Sequence, residues 1–580
     1  MAPAALQAMD LTSLRAVLSE LQPQLLPSRF EKAQQADSHT LQLGFRTLSQ
    51  RLWLELSWQA EAPRLLAIEA PPRHGDGSTL AQQLQHGLGG LALVSLEQPG
   101  WERVVELGFA PRPGETIQRW LVLELMGRHS NLFLLDEQRR VVAAARQVRQ
   151  QQSRLRPIGT GDAYSPPPPL SGQPPNRQES FADWQRQLTL LPLPLKQALQ
   201  SAYQGISPAL ALQLAGDAPH LSESLLAQPV STLSPEQWQQ LWQHWQAWLM
   251  ALEQERFAYS PGRCCAYRCW INEPCSSGDR PKASEALPIN QDLARYHHER
   301  LGARLVQQRR HQLQQRLEHQ LERERSQLMD QQQLLDQVDS SDQLQQQADA
   351  LLCLAQPSRE QVAQAQSLYK RARKLRRSVA AITPRIDQHR QRIEQLEASL
   401  TYLDQGPTHS SAAALEHLSS LDDECSSLHA LKGPSRAQRR QQATATPSPL
   451  ELTSPGGLRL QVGRNHRQNE WISLRQARRG DLWFHAQECP GSHVVLKGSE
   501  GLGSDSDLQA AADLAAHFSR ARGNQRVAVV MVPCDELQRI AGAGPGTVRH
   551  RGGEVLWAEP GRALALLKAV APSLSGEQEP

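Results

Sequence analysis

No stretch of this 580-residue chain approaches the run of about eighteen apolar residues that a membrane-crossing helix requires. Its first twenty residues carry charges and glutamine where a secretion signal needs an apolar core and a cleavage site, so the expectation is a soluble, cytoplasmic protein with no membrane partner. Cysteine is scarce: eight residues are too few for a disulfide scaffold. Four of them (Cys264, Cys265, Cys269, Cys275) crowd one segment, but without a C-x-x-C pair or nearby histidine they read as partly buried thiols, not a metal site, and no cofactor is expected. An excess of one charge is also missing. Lys+Arg of 62 against Asp+Glu of 59 gives +3, so polyanion-binding clusters must be sought segment by segment. Finally, the chain has no G-x-x-x-x-G-K-[ST], H-E-x-x-H or G-x-S-x-G, and the Pro in Gly542-Ala543-Gly544-Pro545-Gly546 removes an amide donor from a would-be phosphate cradle. No catalytic residue is assigned, and the chain is not expected to be an enzyme.

At about 150 residues per domain, the length predicts about four structural units. Period-two alternation from Thr40 to Ala70 (Leu41, Leu43, Phe45, then Leu52, Leu54, Leu56, Trp58) and apolar runs at Leu91 to Leu96, Val104 to Phe109, Trp120 to Leu125 and Leu132 to Leu135 predict a β-rich N-terminal domain over 1–170 with flanking helices. The proline-rich stretch Ser165 to Pro175 ends it as a stiff linker. Ser207-Pro208 and Ser234-Pro235 are helix starts, a cap followed by proline in the first turn, and place a helical region over 176–252. Trp238, Leu241, Trp242, Trp245 and Leu249 share one helical face, which reads as core.

The middle, 253–431, carries the most regular signal. Leu368, Leu375, Ile382, Leu396 and Leu403 form one heptad position, and Ala372, Val379, Ile386, Ile393 and Leu400 the other, with His389 in the remaining core slot. Val306, Leu313, Leu321, Leu328 and Leu335 supply an upstream arm, with Leu317 bridging a one-residue slip. Two arms separated by the polar stretch Asp339 to Gln347 and a turn at Pro357 predict an antiparallel coiled-coil hairpin, kinked at Pro384. A flexible basic linker with Lys432, Arg436, Arg439 and Arg440 covers 432–456. A compact α+β domain spans 457–565, with strands around Leu458 to Val462, Asp481 to Ala486, His493 to Leu496, Val527 to Val532 and Val555 to Ala558 and a helix over Leu508 to Ala521. Residues 566–580 form a tail. The fold class is therefore multidomain α+β.

Two segments carry one-sided charge. Lys370-Arg371-Ala372-Arg373-Lys374-Leu375-Arg376-Arg377 has six cations in eight positions and no acid, where solvated coiled-coil flanks usually mix signs. Across the first strands of the C-terminal domain, Arg459, Arg464, Arg467, Arg475, Arg478 and Arg479 face only Glu470, interleaved with Asn465, His466, Gln468 and Asn469, a pattern suited to phosphate and 2′-hydroxyl contacts. In Gly480-Asp481-Leu482-Trp483-Phe484-His485-Ala486, Trp483 and His485 share one strand face and Phe484 the other. One face can be core and the other a base-stacking surface. Histidines 485 and 493 lack a third ligand at metal spacing.

These residues resemble a known family. Glu124-Leu125-Met126-Gly127-Arg128-His129-Ser130-Asn131, then Gly463-Arg464-Asn465, Gly480 to Ala486 and Pro490-Gly491-Ser492-His493-Val494-Val495, are similar to the N- and C-terminal signatures of NFACT proteins. The order between them also fits, with a helix-hairpin-helix module near Gly205-Ile206-Ser207-Pro208 and the pattern Ala365-Gln366-Ser367-Leu368-Tyr369-Lys370-Arg371 in the second coiled-coil arm. The resemblance covers the chain to about residue 560. It implies a ribosome-associated quality-control factor that binds obstructed large ribosomal subunits carrying peptidyl-tRNA and recruits alanyl-tRNA for C-terminal alanine tailing, the ribosome supplying peptidyl transfer. It assigns tRNA binding to Arg29, Glu102, Arg103, Arg128, His129 and Asn131. It assigns rRNA or RNA binding to Lys370, Arg371, Arg373, Lys374, Arg464, Asn465, Arg467, Asn469, Arg478, Arg479, Trp483, His485 and His493. The family's Asp-Arg pair is matched by Glu102-Arg103, a carboxylate one methylene longer; Arg29-Phe30-Glu31-Lys32 resembles its first basic stretch; Met9-Asp10 resembles its usual start, which makes the first eight residues either an extension or a stretch before the true start at Met9.

Three alternatives stand beside this expectation: an RNA-binding protein without tailing activity, a relative of formamidopyrimidine DNA glycosylases, and a fibronectin-binding adhesin. The glycosylases place proline directly after the initiator Met, whereas here Pro3 follows Ala2. The adhesin lacks a recognisable signal or anchor.

Overall fold

The computed structural model describes residues 6–72, 78–271, 287–354, 356–407, 411–428, 447–501, 503–540 and 544–569. The expected linker cations Lys432, Arg436, Arg439 and Arg440, as well as Cys275, lie outside them. The chain divides into two compact units, Met1–Leu301 and Gly302–Pro580.

In the first unit, Asp10 and Ser13 form a reciprocal capping box that starts α1 (Leu11–Leu25). Leu14, Val17, Leu18, Leu21 and Leu25 recur at helical spacing and bury that face in the core. Nine antiparallel strands follow: β1 (Ser28–Asp37), β2 (Thr40–Arg46), β3 (Arg51–Ser57), β4 (Arg64–Ile68), β5 (Ala92–Glu97), β6 (Val104–Ala110), β7 (Arg119–Glu124), β8 (Asn131–Leu135) and β9 (Val141–Ala144). Their order is β4-β3-β2-β1-β5-β6-β7-β8-β9, so two meanders meet at β1 and β5, and α2 (Thr79–Leu88) makes the crossing between them. The β1–β5 seam is short, pairing only Ser28 with Leu93 and Arg29 with Ala92. β1 itself is polar, Ser-Arg-Phe-Glu-Lys-Ala-Gln-Gln-Ala-Asp, and escapes a search for apolar alternation.

The helical module comprises α3 (Phe181–Thr189), α4 (Leu195–Ala202), α5 (Pro208–Ala215), α6 (Pro219–Ala227) and α7 (Pro235–Glu253). Ser207 and Ser234 cap α5 and α7 through side-chain oxygens that accept from the N–H three residues on. The tryptophan face is core: Trp184, Trp238, Trp245 and Trp248 bury together, with centroids 5.2–5.8 Å apart. The proline-rich stretch expected as a linker is instead laid against this module, because Gln173 N–H reaches the Ala202 carbonyl (2.9 Å). The hairpin β10 (Phe257–Pro261) and β11 (Tyr267–Trp270) follows. The start of α8 (Pro288–Leu352) then closes the unit through Asn290, which accepts from Ala67 N–H (2.9 Å) and donates to Glu20 (2.9 Å).

In the second unit, α8 runs unbroken through the polar stretch expected to interrupt it. Gln, Asp and Ser tolerate a helix when a partner helix continues alongside. α9 (Arg359–Asp404) runs back through Pro384, which does not end it. Side-chain links Arg310 to Leu403 O (2.7 Å), Glu324 to His389 (2.6 Å) and Asp342 to Arg376 (2.8 Å) join rising positions on one helix to falling ones on the other, so the pair is antiparallel. Leu313, Leu317 and Leu321 bury against Leu396, Tyr402 and Leu403, with Leu418 and Leu421 of α10 (Ser411–Leu428) completing the cluster.

The C-terminal domain is a six-stranded antiparallel sheet, β12-β13-β15-β14-β16-β19, of β12 (Leu450–Thr453), β13 (Arg459–Val462), β14 (Leu482–Ala486), β15 (Val494–Leu496), β16 (Val527–Pro533) and β19 (Glu554–Ala558); a small hairpin, β17 (Gln538–Arg539) with β18 (Val548–Arg549), precedes β19. Three helices attach to it: α11 (His466–Glu470), continued by a π-helical turn Trp471–Arg475, α12 (Asp505–His517) and α13 (Ala563–Ala569). One sheet face packs on the alanine-rich side of α12, whose small residues let the helix approach closely. The other packs on Ile472, Cys534 and Leu537. Among the described residues no helix is long and apolar enough to cross a membrane.

Candidate nucleic-acid interface

Glu102 and Arg103 end the loop between β5 and β6, a loop that turns at Gly100 (φ +60°) and is held from α1. Arg15 donates to Gln98 Oε1 (2.9 Å) and Gly100 O (2.8 Å) and lies over Trp101 at 4.7 Å, while Trp101 packs on Trp248 at 6.0 Å. Arg103 is half-buried and donates to Met9 O (3.4 Å). Burial lowers its pKa, and the charges of Asp10 and Glu102 partly offset that. One Glu102 oxygen accepts from Leu170 N–H (2.8 Å), so this carboxylate already fastens the proline-rich stretch.

Antiparallel register brings the second motif to the same end of the sheet. Val104 pairs with Glu124, Glu124 with Asn131, and Leu125 N–H bonds Arg103 O (2.9 Å). Arg128 and His129 stand exposed in the single turn Gly127–His129. Asn131 does not join them. It is buried, and its side chain bonds Leu132 N–H (3.0 Å), Arg146 N–H (2.9 Å) and Arg146 O (2.9 Å), so it braces the turn where a tRNA contact was expected. Arg29 is also separated from this group. It pairs with Ala92 at the start of β5, and the loop lies beyond the other end of that strand, about 20 Å away at ~3.3 Å per residue.

The structure adds cations that lie outside these motifs. From Gln138 to Gly161 the sequence has six arginines and no acid, a one-sided run that could have been found. Arg139 makes a bidentate pair with Glu106 (2.5 and 3.0 Å) and Arg156 with the buried Glu124 (2.6 and 2.8 Å), which also accepts from Tyr164 OH (2.9 Å). These pairs pin the segment down. Arg149 and Arg154 remain exposed with no acidic partner among the described residues, while Arg146 donates to Arg128 O (2.8 Å).

In the second unit, Lys370, Arg371, Arg373, Lys374 and Arg377 are exposed on α9 and unpaired among the described residues; Arg376 is taken by Asp342 and Gln345.

The Arg- and Asn-rich segment of the C-terminal domain is less open than its composition suggests. Residues 466–475, between the first two expected strands, are helical, because Asn465 caps α11 by accepting from Gln468 N–H (2.7 Å). The buried Glu424 carboxylate of α10 accepts from His466 N–H (3.3 Å) and Arg467 N–H (2.8 Å) at the same helix start, and burial raises its pKa. Asn469 is buried, joining Tyr402 OH (2.8 Å) to His493 N–H (3.1 Å). Asn465 and Asn469 are therefore internal hydrogen-bonding residues. Arg464 and Arg467 are half-buried, Arg475, Arg478 and Arg479 exposed, and Arg459 pairs with Glu500.

Both faces of β14 are covered, so Trp483 is not an open stacking surface: it is 3% exposed, lies parallel to His485 at 5.5 Å and meets His493 edge-on at 5.1 Å. His493 is buried with Nδ1 2.8 Å from Ser473 Oγ, and burial drives its pKa far below the usual value; burial lowers that of His485 to about 4. Both are neutral at pH 7, and only His485 is partly exposed.

The exposed turn Arg478-Arg479-Gly480 is held from beneath by Asp481. This carboxylate is fully buried and accepts from Arg478 N–H (2.8 Å), Lys497 Nζ (2.9 Å), Ser499 N–H (3.1 Å) and Ser499 OH (2.6 Å). Gly480 supplies the φ of +96° that the turn needs. Elsewhere, Cys264, Cys265 and Cys269 are free thiols of the β10–β11 hairpin, and among the described residues no three His, Cys, Asp or Glu side chains are grouped to hold a metal.

Comparison with known proteins agrees with the order of these parts. The NFACT N-terminal and middle domains match residues 10–361 and 355–444, and the NFACT protein RNA binding domain matches 451–552. A protein of Streptococcus pneumoniae serotype 2 named Rqc2 homolog RqcH is 26% identical over 94% of this chain and 97% of its own length. The Bacillus subtilis protein of the same name is 29% identical over 35% of this chain and 34% of its own. Among solved structures, the C-terminal part of the fibronectin/fibrinogen-binding protein of Streptococcus suis is 30% identical, covering 45% of this chain and 98% of that one with a TM-score of 0.37. Its N-terminal part is 20% identical, covering 49% and 98%, also with a TM-score of 0.37. With both of its family domains present in sequence order, the chain belongs to the NFACT family.

Proposed function

We infer that this protein is a ribosome-associated quality-control factor that binds large ribosomal subunits obstructed by peptidyl-tRNA and recruits alanyl-tRNA for C-terminal alanine tailing. The observation that carries the reading is likeness to the Rqc2 homologs named RqcH along nearly the whole chain. Exposed cations support it in both units, at Arg128, Arg149 and Arg154 and at Lys370 to Arg377, Arg478 and Arg479. Phosphate contacts of this kind position a protein on RNA without reading sequence. The chain binds and positions, and the peptide bond is made by the ribosome.

Tagged protein purified from its own cells, followed by sedimentation and sequencing of the bound RNA, tests this. Large-subunit rRNA with enriched alanine tRNA is expected, and neither RNA would refute the reading. Arg103→Ala is expected to abolish tRNA recovery and leave subunit recovery intact; unchanged tRNA recovery would remove Arg103 from the tRNA site. A second reading, subunit binding without tailing, is favoured by the Glu102 carboxylate, which is engaged by Leu170 N–H. It predicts subunits recovered without tRNA.

A further inference from the structure

The first unit carries a second site, remote from Glu102 and Arg103, built by the first of two irregularities in β1. Phe30 pairs with Phe45 and Lys32 with Gly44, so Glu31 is an extra residue, a β-bulge. In a regular strand Arg29 and Lys32, three apart, would point to opposite faces. The bulge restores them to one face while Phe30 turns into the core. The same face then carries two cross-strand rows, Arg29, Arg46, Arg51 and Lys32, Gly44, Trp53.

Gly44 makes the second row a floor. A Cβ there would stand 3.2 Å from the Trp53 ring, so the absence of a side chain at Gly44 lets the indole lie close over β2. Trp53 is 8% exposed and its indole N–H has no hydrogen-bond partner among the described residues. Beyond Arg29, β1 parts from β5, and its edge is bonded instead by the Gln85 side chain of α2, which accepts from Ala33 N–H (2.8 Å) and donates to Glu31 O (3.2 Å). The parting leaves an open cavity of about 850 Å³ whose lining includes the cations Arg29, Lys32 and Arg51, the single carboxylate Glu31, and Trp53 and Gln85. Glu31 is shared by Arg46 (3.0 Å) and Arg51 (2.6 Å). Arg29 and Lys32 have no acidic partner among the described residues, so the cavity holds uncompensated positive charge.

We propose that this cavity binds a nucleoside 5′-phosphate, its phosphate between Arg29 and Lys32 and its base toward the Trp53 floor. A bare anion would leave most of the volume unfilled, and a neutral aromatic would leave the two cations unused. Positive charge beside an aromatic side chain is how proteins hold the phosphates and bases of single-stranded nucleic acid without reading sequence. The ligand is a free nucleotide or the phosphorylated terminal nucleotide of an RNA, which share this chemistry.

The test is calorimetry of the full-length protein with AMP, CMP, GMP and UMP, a 5′-phosphorylated single-stranded RNA tetranucleotide, and inorganic phosphate. Saturable binding of at least one nucleotide is expected, weaker for inorganic phosphate, and reduced at least about tenfold by Lys32→Glu and by Arg29→Glu. Arg29 is exposed, so its variant serves if Lys32→Glu fails to fold. Tighter binding of the tetranucleotide with the same variant sensitivity identifies RNA as the source, and tighter binding of the mononucleotide identifies a free nucleotide. The proposal is overturned if no nucleotide binds at millimolar concentration, if both variants bind as wild type does, or if inorganic phosphate binds equally well. Wild-type protein that binds nucleotide but does not sediment with large subunits refutes the quality-control reading and leaves the pocket standing; the reverse result refutes the pocket alone.

Discussion

Lys497→Met leaves a fully buried carboxylate without its counter-ion. Lys497 is 3% exposed and Asp481 is 0% exposed, and they approach to 2.9 Å. Removing one partner of a buried pair costs about 3–5 kcal/mol, because the remaining charge keeps its desolvation penalty. Here three donors stay on Asp481, the N–H groups of Arg478 and Ser499 and the Ser499 hydroxyl, so about 3 kcal/mol is expected. Pairing the change with Asp481→Asn removes both charges, and the double variant should cost less than the sum of the singles by about 2 kcal/mol. A chain of several units does not unfold in one step, so the assay is native-state hydrogen exchange read at the amides of β14, β15 and β16. The pH dependence has a fixed sign. Burial pushes the Asp481 pKa up, but hydrogen bonds from Ser499, Arg478 N–H and Lys497 outweigh it and hold the pKa below its usual value. This contribution is therefore complete above about pH 4 and lost as pH falls through the folded value. Lys497→Met should bring acid destabilisation at higher pH. Exchange within about 0.5 kcal/mol of wild type, or a strictly additive double variant, would refute the argument.

Reversing the four unpaired cations Lys370, Arg371, Arg373 and Lys374 to glutamate should weaken large-subunit RNA binding and flatten its dependence on log salt by about 0.7–0.9 for each phosphate no longer neutralised, measured by filter binding from low to physiological salt. An unchanged slope would remove α9 from the interface. Arg149→Glu with Arg154→Glu should lower tRNA recovery several-fold without changing native-state hydrogen exchange in β7 to β9, since both side chains are exposed and have no acidic partner among the described residues; changed exchange with unchanged recovery would assign them to structure. His297 is 1% exposed, neither ring nitrogen has a hydrogen-bond partner among the described residues, and burial, aided by Arg64, lowers its pKa to about 3. The unfolded chain therefore binds the proton first, and stability falls as pH drops from about 6.5 toward 3. His297→Leu should stabilise the first unit by about 1–3 kcal/mol and remove that slope between pH 7 and 5, read by calorimetry.

Local chemistry was enough to fix several elements of this protein. Ser207-Pro208 and Ser234-Pro235 start helices because a hydroxyl cap and a preset φ act within one turn. Alternation in Thr40 to Arg46 and Arg51 to Ser57 marks strands because side chains alternate whatever the partner strand is. The family signatures, too, are contiguous residues. What only tertiary structure decided is where those residues face. Asn131, Asn465, Asn469 and Trp483 read as surface polar or stacking groups, yet each is buried by contacts beyond its own strand or turn. Arg103 and Arg128 come to the same end of the sheet through strand register, and Arg29 and Lys32 share a face through one bulged residue. Periodicity belongs to a segment alone, whereas register and burial belong to pairs of segments, and neither partner's sequence contains the pairing.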